Sequence, residues 1–188
     1  MFGVLISVLT LATLGSIAVF TGTIPSPLDR GFTTAAPHAA TKYPPAPCPP
    51  GGTVAVSYDG VQVTVLNATK RAGLATSTGT ALADRGFVIV ATRNSPAAVK
   101  GTAEVRFGAA GLAAAYTLAG QFKKPTLVFD ARTDASVDVV VGEAFAALLD
   151  LGQVTPAPGA ALVGVDGCVP LTDAVPVPAA VPTTPAAG

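Results

Sequence analysis

Two cysteines, one lone histidine and one loop of alternating charges are the residues of this 188-residue chain whose types invite chemistry. Cys48 lies in Pro47-Cys48-Pro49 and Cys168 in Gly167-Cys168-Val169. Such a pair can form a disulfide if the chain is exported, stay as two free thiols if it is not, or supply two of a metal's ligands. A disulfide would close a loop of roughly 120 residues and stabilise the fold by about 4 to 5 kcal/mol at most. Further metal ligands are not evident in the sequence, so no metal site is expected. His38 stands alone among alanines and prolines. A catalytic imidazole needs a rigid shell to position it, so His38 reads as a solvated linker residue. Asp130, Arg132 and Asp134 alternate along one loop and form a candidate interaction loop for a sugar, a cation or a protein. The plainer reading of these three is a solvated turn of ordinary turn residues.

Asn67-Ala68-Thr69 matches a glycosylation sequon, but it is also a turn whose side chains can bond nearby backbone. Lys70-Arg71 and Lys123-Lys124 are short basic pairs that could touch lipid or polymer phosphates if the fold brings them to one edge. Surface charge is the default reading of both. No phosphate-binding glycine loop, HExxH or GxSxG occurs, and no nucleophile is supplied with a base. Neither catalytic residues nor a cofactor are therefore expected. With 11 basic and 11 acidic side chains the formal net charge is zero, which argues against a nucleic-acid partner.

The elements that must position these residues lie between two proline-rich stretches. Val61, Val63 and Val65 alternate with polar residues, a strand period. A helix is expected over about 72–85, with Leu74, Ala81 and Leu82 on its buried face and Gly86 as its left-handed stop. Phe87 to Ala91 form an apolar run that suggests a central strand. Residues 102–107 alternate as a strand with one wet face, and Gly108 leads into a second helix over about 109–122, with Leu112, Tyr116, Ala119 and Phe122 inward. Residues 126–129 and 137–141 read as two further strands. The order βαββαββ implies a two-layer α/β (α+β) sandwich: a mixed sheet of about five strands with two helices on one face. The other face needs cover, which residues 54–56 and 161–165 or a second copy in a homodimer could supply.

Outside this domain, at about 53–150, the chain divides further. Residues 2–24 carry no charge, and 23 of them in a helix span roughly 35 Å, enough for the about 30 Å hydrocarbon core of a bilayer. A membrane anchor over 1–24 is expected rather than a cleaved leader, because neither a basic start nor a clear Ala-x-Ala site is present. A proline-rich linker follows over 25–52. Residues 151–175 form a tail packed on the domain through Cys168, and 176–188 are expected to be disordered.

Val63-Thr64-Val65-Leu66-Asn67-Ala68-Thr69, Ala72-Gly73-Leu74-Ala75, Arg85-Gly86-Phe87, the strand and glycine turn from Ala103 to Gly111, and Val137 to Gly142 together resemble the LytR C-terminal domain family. The layout of span, linker, single domain and flanking cysteines is similar to that of actinobacterial proteins that support envelope integrity. The resemblance implies a cell-membrane protein whose domain faces the envelope, which places both cysteines in an oxidising space and favours their disulfide. It implies a non-enzymatic role through envelope proteins or cell-wall polymer. The alternative is an extracytoplasmic lipid- or glycan-binding module. The catalytic module that precedes this domain in related proteins has no room here, so its transferase activity is not carried over.

Overall fold

A computed structural model describes residues 42–179. The expected anchor at 2–24, His38 with the rest of the linker up to Thr41, and the tail from 180 onward lie outside the described residues. Among the described residues no helix is long and apolar enough to cross a membrane.

The elements run β1 (Gln62–Asn67), α1 (Leu74–Ala83), β2 (Val88–Asn94), β3 (Ala103–Phe107), α2 (Leu112–Ala119), β4 (Thr126–Phe129) and β5 (Val137–Val141), which is the expected order. They form one mixed sheet in the order β2-β1-β5-β3-β4. β1 is parallel to β2 and β5, β3 is parallel to β4, and the antiparallel contact joins β3 to β5. One end of the sheet, here called the upper end, therefore gathers the C-termini of β1, β2 and β5 with the N-termini of β3 and β4.

Alternation decides which face is dry. Val63, Val65, Val105, Phe107, Val137, Val139 and Val141 point to one side and pack with Ala75 and Leu82 of α1 and with Leu112, Ala115, Tyr116 and Leu118 of α2. Both helices thus share one face. α1 is shorter than expected and rotated: Ala75, Thr78, Gly79 and Leu82 are buried, while Leu74 and Ala81 are only half-buried. It stops where the sequence requires. Gly86 takes φ +99°, its N–H bonds to the Ala83 carbonyl at 2.8 Å, and the Phe87 N–H bonds to the Leu82 carbonyl at 3.1 Å, the paired bonds of a glycine C-cap. α2 is buried nearly all round, with Thr117 and Leu118 as enclosed as Ala115.

Two expectations are corrected. The apolar run at 87–91 is not central, because β2 is an edge strand and β5 holds the middle. A register shift between Val63 and Thr64 leaves Val90 opposite no residue of β1, and Val88 and Val90 are 43% and 61% exposed. A bulge of this kind breaks the two-residue alternation, so a half-wet edge strand imitates a buried one. Residues 54–56 and 161–165 do not cover the outer face either. Val54 bridges Ala161, the Leu162 N–H bonds to the Thr53 carbonyl at 2.9 Å, and the Val56 N–H bonds to Thr117 Oγ1 of α2 at 3.1 Å. They wrap the helical layer, because α2 has apolar side chains on its far side too.

Candidate functional site

Asp130 directly follows β4 and Arg132 lies two residues further into the β4–β5 loop, where the structure ties them together. Arg132 Nε donates to Asp130 Oδ1 at 2.9 Å, and Nη2 donates to Asp130 Oδ2 at 2.8 Å and to Asp138 Oδ2 at 2.7 Å. Nη1 is directed at Ser136 Oγ at 3.3 Å and at its carbonyl at 3.5 Å. Every N–H of the guanidinium therefore points at a protein acceptor. Side-chain exposure is 10% for Arg132, 1% for Asp130 and 19% for Asp138, so the triad sits largely out of water. Burial opposes the guanidinium charge, but its hydrogen bonds to the Asp130 and Asp138 carboxylates outweigh that and raise the Arg132 pKa. Gly108 makes the room: a Cβ there would come within 2.0 Å of the Arg132 carbonyl oxygen and 2.6 Å of its Cγ. Asp134 differs from its neighbours. It is exposed and accepts hydrogen bonds from the Ser136 hydroxyl and, at 2.8 Å, from the Ser136 N–H. Those bonds hold its carboxyl below the usual carboxylate range. Of the three loop residues, two are brought together as a clamp across β4 and β5, and the third faces solvent.

A second charged group, not singled out from sequence, lies on the outer face of β3. Arg106 Nη2 meets Glu104 Oε2 at 2.6 Å, Tyr43 Oη donates to the Glu104 carboxylate at 3.0 Å, and Lys42 Nζ lies 3.5 Å from Glu104 Oε1. The face expected to be wet is instead covered, with Glu104 buried, although its polar alternation was legible. Its cover, Tyr43 at the end of the linker, was not, because no local pattern connects residues about sixty positions apart.

The cysteines are joined. Cys48 and Cys168 form a disulfide across a sequence separation of 120 residues. Around it the Cys48 N–H bonds to the Val169 carbonyl at 2.7 Å, the Val169 N–H bonds to the Ala46 carbonyl at 3.1 Å, and Tyr116 Oη donates to the Pro47 carbonyl at 2.9 Å. Burial pushes the Tyr116 phenol up from its ordinary pKa. Both flanks are thereby fastened to each other and to α2. The packing runs past residue 175: the Val177 N–H bonds to the Phe129 carbonyl at 2.9 Å and the Ala131 N–H to the Val177 carbonyl at 3.0 Å, extending the edge at β4.

The sequon turn is structural. Asn67 is buried, its Nδ2 donates to the Arg71 carbonyl at 2.7 Å, and its Oδ1 accepts from the Thr69 N–H at 2.9 Å. Two arginines hold down the irregular segment after β5. Arg71 Nη2 donates to the Phe145 carbonyl at 2.7 Å and Arg85 Nη2 to the Leu149 carbonyl at 2.7 Å. Among the described residues, no group of three metal-capable side chains converges.

A mixed sheet carrying two helices on one face, with its flanks closed by a disulfide, defines the class of domain. The model of the family described as LytR cell envelope-related transcriptional attenuator matches residues 60–145. A solved structure is also similar: the soluble domain of a conserved hypothetical secreted protein, a Rv2700 ortholog, from Mycobacterium marinum. It is 32% identical, with a TM-score of 0.50, over 53% of this chain and 70% of that one. No curated protein matches. The chain belongs to the LytR C-terminal domain family, and its role is related to the cell envelope.

Proposed function

We propose that this protein is a non-enzymatic, membrane-anchored component of the cell envelope. Its disulfide-closed domain works outside the cytoplasm by contacting envelope proteins or cell-wall polymer. The observation that carries this reading is the Cys48–Cys168 bridge, a bond that persists in oxidising compartments. The uncharged stretch at 2–24 supplies an anchor of spanning length, and the similar structure from Mycobacterium marinum is the soluble domain of a secreted protein. The non-enzymatic reading is supported by the engagement of the inward charges: Glu104 pairs with Arg106, and Asp130 and Asp138 share Arg132.

The test is a deletion strain assayed for envelope permeability and antibiotic sensitivity, complemented by the full chain or by a secreted form lacking residues 1–24. Increased permeability restored by the full chain is the expected result. Unchanged permeability in the deletion strain would remove the envelope role. Affinity purification of the full chain beside binding to purified cell wall separates protein partners from polymer. Wall binding without protein partners would favour the glycan-binding module.

A further inference from the structure

The net-neutral domain is electrically lopsided. β1 ends at Asn67 beside Val141 and Asn94, Val141 lies beside Ala103, and Glu104 beside Thr126. The loops leaving or entering these positions carry Lys70, Arg71, Arg93, Lys100, Lys123 and Lys124, all exposed. Hydrogen bonds stitch the loops together. Thr102 Oγ1 donates to the Lys123 carbonyl at 2.7 Å, the Gly142 N–H bonds to the Thr102 carbonyl at 2.9 Å, and the Glu143 N–H bonds to the Val99 carbonyl at 2.8 Å. Among the described residues, none of the six cations is in an ion pair, and the carboxylates in these loops are Glu143 and Asp150. The other described cations are Arg85, Arg106 and Arg132, each bonded to protein acceptors, and Lys42, paired with Glu104. Asp59, Asp84 and Asp134 lie at the opposite end, before β1, after α1 and between β4 and β5.

The linker joins the domain beside the basic rim. Lys42 and Tyr43 are fixed to Glu104, one residue in from the upper end of β3. Residues 25–41, seventeen in all, separate this point from the uncharged stretch. Fully extended, they reach at most about 55–60 Å. Attachment next to the basic end keeps that end within reach of the tether's far end.

We infer that the upper rim, through Lys70, Arg93, Lys100, Lys123 and Lys124, docks on the phosphate headgroups of anionic lipid in the membrane that holds the anchor. Each such cation near an anionic surface raises affinity by about fivefold, and the attraction is screened beyond about 10 Å at 0.1 M salt. Docking directs the acidic end and the Arg132 clamp away from the membrane. The inference rests on the anchored reading proposed above.

The test places the full-length chain in nanodiscs of phosphatidylcholine alone or mixed with phosphatidylglycerol, and reads hydrogen exchange by mass spectrometry. At low salt, amides at 70–71, 99–101 and 123–124 are expected to exchange several-fold more slowly on the anionic discs. That difference should vanish at high salt and in the variant K70E/K100E/K123E/K124E, whose peptides elsewhere in the domain should exchange as in the parent. Equal exchange on the two lipids overturns the inference. So does protection by soluble polyphosphate on neutral discs without protection by anionic discs, which would assign the rim to wall polymer. Failure to enter either disc defeats the anchored reading instead. Co-sedimentation of the same chain with anionic vesicles then decides the rim by itself, with loss in the variant supporting it and no binding overturning it.

Discussion

Replacing Arg132 by Met keeps an unbranched apolar stem and removes the guanidinium donors of Asp130 and Asp138, leaving Asp130 only the residue 132 N–H at 3.1 Å. The Asp130 carboxylate is 1% exposed, so water cannot replace the guanidinium there, whereas Asp138 at 19% keeps partial access to solvent. Removing one member of a buried ion pair costs about 3–5 kcal/mol, because the partner charge is left behind. With one of the two carboxylates partly hydrated, the lower end applies, so R132M is expected to lose about 3 kcal/mol. Urea unfolding followed by circular dichroism, with the disulfide intact, reads this directly. At a slope of about 1–3 kcal/mol per molar, the midpoint falls by about 1–3 M. D134N is the internal control: its exposed carboxylate should change stability by no more than about 0.5 kcal/mol. A loss below about 1 kcal/mol in R132M, or equal losses in the two variants, would show that the clamp is not a structural ion pair.

Three further outcomes are expected. Replacing both cysteines with serine should destabilise the domain by up to about 4–5 kcal/mol, measured by urea unfolding. A loss below about 1 kcal/mol would mean that the flanks are held mainly by their backbone hydrogen bonds. Y116F should cost about 1 kcal/mol at neutral pH by leaving the Pro47 carbonyl without its donor. Because burial raises the Tyr116 pKa, its contribution is complete below the unfolded value of about 10 and is lost as pH rises through the folded value. Stability of the parent should therefore fall more steeply than that of Y116F above about pH 10, and parallel curves would contradict this. G86A forces a side chain into φ +99° and should lower stability by about 1–2 kcal/mol in thermal unfolding, whereas an unchanged midpoint would mean that the cap relaxes.

How much of this was legible in the sequence depended on how local each determinant is. β4 and β5 were readable to the residue, because Pro125 and the polar loop at 130–136 bracket them. Gly86 marked the end of α1, since a positive φ after a helix is a one-residue signal. β2 was misplaced because an edge position is set by pairing and a bulge disguised its alternation. The cover on α2 was missed because it depends on hydrogen bonds between segments about sixty residues apart or more. In the Asp130–Arg132–Asp134 loop, the residue types gave the chemistry but not the partner: Asp138 lay unnoticed in the next strand, and only β-pairing aims it back. Lys70-Arg71 and Lys123-Lys124 were noticed as pairs. Arg93 and Lys100 joined them only once strand directions showed which loops share an end.

The envelope role depends most on where the domain resides. Alkylating thiols in intact cells before lysis, then reducing and labelling again, reads the state of Cys48 and Cys168 in the native protein. Membrane-impermeant protease applied to the same cells with the outer wall removed reads accessibility. In an envelope protein both cysteines escape the first label and accept the second, and the domain is cut from outside while the anchor stays with the membrane. Two thiols labelled in the first step, on a domain shielded from the protease, would contradict that role.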